Sequence, residues 1–170
     1  MIRSNARHFF RRYRPALAAG VALALSACAT PVAVTSNVIT EFNAGRAQPT
    51  CQVSCLWGWL NALPTLDAQY RTQDWNGMRS TVLALNYKDD LSYFYMARSA
   101  EGLGFFPAAK VYYERSLELS ASPLSTDRCA SMAITDPCNG LDVAVLARAG
   151  IARIEAGARP DDWINPPRRR

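Results

Sequence analysis

The stretch from Leu91 to Leu119 constrains the fold of this 170-residue chain more than any other. In "LSYFYMARSAEGLGFFPAAKVYYERSLEL" apolar or small side chains recur three and four residues apart, the spacing that lines one face of an α-helix. Gly102-Leu103-Gly104 breaks the pattern, and Pro107 stands where it resumes. Proline suits a first helical turn, because its fixed φ is already helical and the missing N–H has no partner there. Ser120-Ala121-Ser122-Pro123 ends the second segment. Ala108, Val111, Tyr112, Leu117 and Leu119 supply its expected inward face. Two short helices joined by so tight a turn fold back as an antiparallel hairpin. Asp89-Asp90, just before it, suit the cap and the dipole of the first helix.

Residues 90–123, thirty-four in all, resemble one tetratricopeptide repeat (TPR), whose period is about 34. Ala97, Ala100, Gly104, Phe106, Ala109, Tyr113 and Ser116-Leu117 stand where that repeat places its small, turn and aromatic residues. Tyr93 and Ala100 replace its usual Trp and Tyr. Upstream, "QDWNGMRSTVLAL" (Gln73–Leu85) is similar to the second half of a repeat, with Trp75, Met78, Val82 and Leu85 inward. Downstream, Gly150 and Gly157 repeat the roles of Ala97 and Gly104, with an insertion around Ser120–Gly140. The resemblance implies an all-α fold, a short stack of antiparallel helix pairs with about five to six helices. A generic five- or six-helix bundle would share the pattern. In TPR stacks the first helices line a concave groove. That implies Phe94, Arg98 and Glu101, on one helix face, reaching toward a protein partner. The plainer reading of Arg98 and Glu101 is an exposed ion pair of small energetic worth.

The start of the chain is a different kind of sequence. Residues 1–14 hold Arg3, Arg7, Arg11, Arg12 and Arg14 with no acidic residue, and "PALAAGVALAL" follows at Pro15–Leu25. A basic start, a short apolar run and small residues Ser26 and Ala27 describe an export signal. The run falls short of the roughly 20 residues a membrane span needs. Arg11-Arg12 lacks the rest of a twin-arginine motif. Leu25-Ser26-Ala27-Cys28 resembles the bacterial lipobox. The resemblance implies that residues 1–27 are removed and that Cys28 carries fatty acyl (palmitate-type) lipid on its thiol and amino group. The alternative is a buried cysteine in an uncleaved helix. Ala29, where an Asp would retain such a lipoprotein at the inner membrane, implies the outer membrane, facing the periplasm.

Processing changes the composition. The signal holds five of the 19 Lys and Arg and none of the 14 Asp and Glu, so the remainder is near neutral. The electrostatic case for nucleic acid goes with it. So does His8, the sole histidine, and with it a histidine base or metal ligand.

Four cysteines remain: Cys51, Cys55, Cys129 and Cys138. An even number in an exported chain points to two disulfides, with three pairings open. Short loops close cheaply, which favours Cys51–Cys55 and Cys129–Cys138. A long-range staple between the N-terminal segment and the later loop is the alternative. "CQVSC" lacks the C-x-x-C spacing of a redox or zinc motif.

The expected organisation is a signal peptide (1–27), a lipidated N-terminus and tether (28–50) with a short strand at Val32–Ile39, a helical domain (51–163) and a basic tail (164–170). No phosphate loop, metal box or nucleophile–base pair is present, so no catalytic residue, metal or cofactor is assigned. Ala97–Gly104 faintly echoes the Glu-bearing helix of lytic transglycosylases, but there the catalytic Glu precedes the Ser and Gly, whereas Glu101 follows Ser99. The reading that results is a non-enzymatic, outer-membrane lipoprotein that binds a protein partner and helps assemble an envelope machine: a secretion system, a pilus or outer-membrane proteins. A peptidoglycan-binding or peptidoglycan-cleaving protein is the alternative, and a structural lipoprotein without a partner groove is a third.

Overall fold

The computed structural model describes residues 34–131 and 138–157, and among them the fold is all-helical. Six α-helices follow in order: α1 (Ser36–Asn43), α2 (Leu56–Thr72), α3 (Trp75–Leu85), α4 (Asp90–Gly102), α5 (Phe106–Ser120) and α6 (Val143–Glu155). Short 3₁₀ turns at Val53–Cys55, Ser125–Asp127 and Cys129–Ser131 join them. Four helix starts are capped by a side-chain oxygen on a backbone N–H: Thr35 for α1, Asp74 for α3, Asp89 for α4 and Asp142 for α6. Each satisfies a donor that the first helical turn leaves without a partner.

α4 is the centre. Eleven of its thirteen residues are buried, on every side of the helix, because α2, α3, α5 and α6 all pack against it. A helix apolar or small all round is one that other helices enclose. Its neighbours each present a single stripe: Trp59, Leu63 and Leu66 from α2, Met78 and Val82 from α3, and Val143, Ala147 and Gly150 from α6. Trp59 stacks on Tyr87 at 5.3 Å and tilts against Tyr95 at 6.5 Å. Pairs of this kind add about 0.5–1.5 kcal/mol beyond the area they bury.

Small residues set how near the helices approach. Ala97 and Ala100 on α4, and Ala109 and Ser116 on α5, are fully buried. On α6 the backbone at Gly150 lies so close to α5 that an added Cβ would meet the Tyr113 ring at 2.3 Å. The α4–α5 turn closes at Gly104, whose φ of +83° lies where side chains are strained. The inward face of α5 is turned from the expected one. Ala108 and Tyr112 are buried with Ala109, Tyr113 and Ser116, whereas Val111 is 40% exposed and Leu117 and Leu119 are half-buried. α5 packs on α4 and α6 and also receives α1, which shifts its buried stripe.

The segment read as a tether is part of the packed unit. α1 replaces the expected strand over the described part of Val32–Ile39, and its Phe42 is fully buried. Phe42 stacks on Tyr112 at 5.4 Å. The Tyr112 hydroxyl donates to the Phe42 carbonyl (2.9 Å) and accepts from the Ala47 N–H (3.2 Å). Gly45 follows at φ +74°, its backbone against Ala108. A Thr cap and the apolar pair Val38 and Phe42, four residues apart, are enough for one amphipathic helix once α5 offers a surface.

Both local disulfides form: Cys51–Cys55 with Cα atoms 5.8 Å apart and Cys129–Cys138 with Cα atoms 5.3 Å apart. The first closes the turn before α2. Cys51 also exchanges backbone hydrogen bonds with the α3–α4 link, accepting from Lys88 N (2.8 Å) and donating to Asn86 O (3.0 Å). The second gathers the long α5–α6 connection.

Candidate functional site

The three residues expected to grip a partner lie inside the bundle. Phe94 is 1% exposed and Glu101 0%, and the Arg98 side chain is 11% exposed. They do share one face of α4, but α5 and α6 cover it, so no open groove runs along it. The Arg98–Glu101 pair exists and is buried rather than exposed. Arg98 donates to Glu101 Oε2, and the Tyr113 hydroxyl donates to the same oxygen. From α6, Arg153 clamps the carboxylate with two bonds, Nε to Oε1 at 3.2 Å and a terminal nitrogen to Oε2 at 3.1 Å. The Arg98 guanidinium also lies over Trp75 (5.1 Å) and Tyr70 (5.8 Å). Burial works against the Arg98 charge, and the neighbouring Tyr113 hydroxyl and Glu101 carboxylate more than offset it, holding its pKa above the usual value. Burial also pushes the Tyr113 phenol up.

This cluster joins α4, α5 and α6 through one carboxylate, and side chains from α2 and α3 sandwich its cation. Its evident work is to fix helix positions. Bidentate guanidinium–carboxylate contacts impose geometry as well as energy. A glycosidic general acid must reach its substrate, and Glu101 is fully covered. The signals that sequence reading missed are Arg153, 52 residues from Glu101, and Tyr113, already singled out as a packing residue.

A second polar node surrounds the start of α4. Asp89 Oδ1 accepts from Ser92 N at 2.6 Å. Its Oδ2 is buried without a hydrogen bond, beside a Trp59 indole N–H that does not reach bonding geometry. Burial drives the Asp89 pKa well up; the Ser92 N–H opposes this, and the charges of Asp90 and Asp127 add to it. Asp90 is also raised by burial, against hydrogen bonds from Cys129 N (2.7 Å), Ser120 Oγ (3.0 Å) and Leu91 N (2.9 Å). Asp127 accepts from Ser122 Oγ (2.8 Å) and Gln52 Nε2 (3.4 Å) and faces Lys88 at 3.7 Å. Asp89 caps α4, whereas Asp90 does more: through Cys129 N and Ser120 Oγ it ties the disulfide-closed α5–α6 connection to the head of α4.

The surface carries two features of note. A cleft of about 310 Å³ lies between α1 and the end of α3, lined by Val38, Ala47, Pro49, Leu83 and Asn86 among others. The most exposed large apolar side chains of the described residues are Val53 (76%) and Trp57 (75%), with Leu124 and Val145 also exposed. Among the described residues no helix is long and apolar enough to cross a membrane. Cys28, the basic tail at 164–170 and the signal at 1–27 lie outside the described residues.

No protein-family profile, curated protein or solved structure matches the chain.

Proposed function

We propose that the chain is an outer-membrane lipoprotein, anchored through Cys28, whose periplasmic helical domain holds a protein partner during assembly of an envelope machine. The observation that carries the reading is Leu25-Ser26-Ala27-Cys28 placed directly after a basic, then apolar, start. Two disulfides in the folded part suit an oxidising compartment. Multiple acyl chains make such anchoring stable, whereas one alone binds marginally.

The partner surface is not the Phe94–Arg98–Glu101 face, which the helices themselves occupy. Substitutions there would disturb packing rather than binding. The experiment is affinity capture of the intact lipoprotein from crosslinked envelopes, alongside a Cys28→Ala chain. A defined partner captured by the lipidated protein supports the reading. Recovery of abundant porins alone counts against an adaptor role, and release of muropeptides by the purified protein would replace it with the peptidoglycan reading. A Cys28→Ala protein that still fractionates with outer membranes contradicts the anchor.

A further inference from the structure

We propose that Val53 and Trp57 form a second, weaker membrane contact that lays this end of the domain on the bilayer to which Cys28 is attached. The inference rests on the Cys28 anchor. Its independent observation is a charge-free stretch of chain with an exposed side. From Ala47 to Leu66 the sequence is "AQPTCQVSCLWGWLNALPTL", twenty residues without a charged side chain. Trp59, Leu63 and Leu66 take the buried side of its helix. The opposite side, facing outward, holds Val53, Ser54, Trp57, Gly58, Asn61, Pro64 and Thr65. A water-facing side of a domain normally carries charges; here Arg46 and Asp67 bracket the segment, and the paired Lys88 and Asp127 reach it from other elements at Cys51 and Gln52. Tryptophan with small and uncharged polar residues suits the headgroup level of a bilayer, where a ring can be half apolar and half wet.

Chain length places that surface against the membrane. Six residue steps separate Cys28 from Val34, the first described residue, which at full extension is about 22 Å. That is less than the ~30 Å diameter of a small domain, so a lipid on Cys28 keeps the domain within touching distance. The structure also shows where the chain coming from Cys28 enters the domain. Asn37 and Val38, in the first turn of α1, share a cleft with Leu83 and Asn86. Asn86 hydrogen-bonds both Thr50 and Cys51, and Leu85 lies against Gly58, the residue after Trp57. The end of α3 thus lies beside both the first turn of α1, where the tethered chain enters, and the first turn of α2, which carries Trp57. The disulfide Cys51–Cys55 holds the turn that presents Val53.

Full-length lipidated protein in phosphatidylethanolamine–phosphatidylglycerol vesicles tests this by tryptophan fluorescence. The chain has three other tryptophans, Trp59, Trp75 and Trp163, whose emission is common to both proteins, so the difference between wild type and Trp57→Phe isolates the Trp57 emission. The expected result is a blue-shifted difference spectrum that brominated acyl chains quench and aqueous acrylamide does not. Val53→Asp, at a site already in solvent, should reverse that pattern without loss of helical circular dichroism. A Trp57 emission still open to acrylamide, on protein that floats with the vesicles, overturns the second contact and leaves the anchor standing. Shielding that appears only after envelope proteins are added overturns it in favour of a protein-docking face. A chain whose Cys28 carries no lipid, and which does not float, removes the anchor and the bilayer contact together.

Discussion

Glu101→Gln separates a buried brace from a partner-facing groove residue more cleanly than any other change. Glutamine keeps the volume and removes the charge. Glu101 is fully buried and holds Arg98, Arg153 and Tyr113 at once. Removing one member of a buried ion pair costs about 3–5 kcal/mol, because the remaining charge stays desolvated. Two features pull the cost toward the lower end. The Arg153 side chain is 31% exposed, so water screens part of its loss. Arg98 keeps the faces of Trp75 and Tyr70. Against this, the Tyr113 hydroxyl loses a charged acceptor. The expected loss is about 3 kcal/mol. With a urea m-value of ~1–3 kcal/mol per molar, the unfolding midpoint should fall by at least about 1 M. Adding Arg98→Met to Glu101→Gln should recover part of the loss, since the stranded charge is then gone, with a coupling of ~0.5–3 kcal/mol in the double-mutant cycle. A single-mutant loss under about 0.5 kcal/mol, the range of surface changes, would refute the reasoning and return Glu101 to an exposed face.

Other expectations follow from the same packing. Asp89 and Asp90 have pKa values raised by burial, so each contributes stability that is full below the unfolded carboxylate value and is lost as pH rises through the raised folded one. Asp89→Asn keeps the cap on Ser92 and removes the titration; it should flatten that pH dependence and stabilise at pH 8 relative to wild type, read as melting temperatures between pH 4 and 8. An unchanged slope would mean Asp89 is not buried as described. Gly150→Ala should destabilise by about 1–3 kcal/mol despite alanine's better helix propensity, because the new methyl meets the Tyr113 ring; a stabilised variant would show that α5 and α6 sit farther apart. Replacing Cys129 and Cys138 by Ser should cost ~2.5 kcal/mol from the nine-residue separation they close, and unreduced peptide mapping that finds a 51–129 link instead would contradict the local pairing.

What the sequence conveyed and what it did not can be traced to range. The α4–α5 hairpin, its Gly104 turn and the buried Ala97, Ala100, Ala109 and Tyr113 are local patterns of three- and four-residue spacing, and they were legible. So were the two disulfides, since short loops close with little entropy. α1 was hidden because its apolar signal, Val38, Ile39 and Phe42, is short and set among polar residues; its packing partner Tyr112 is seventy residues away. The same holds for Arg98 and Glu101. Their common face was evident, but whether that face opens to water depends on α6, and Arg153 gives no local hint of covering it. Helical periodicity says which residues share a side, while burial on all sides of α4 is a property of the assembled bundle.

The central claim, a protein anchored to the envelope by Cys28, is tested most directly by the intact mass of the chain purified from membranes. The account predicts a chain that begins at Cys28, lacks residues 1–27 and carries lipid on both the thiol and the amino group of that cysteine. A chain recovered with residues 1–27 attached, or cut elsewhere and bearing a lipid-free Cys28, would contradict it.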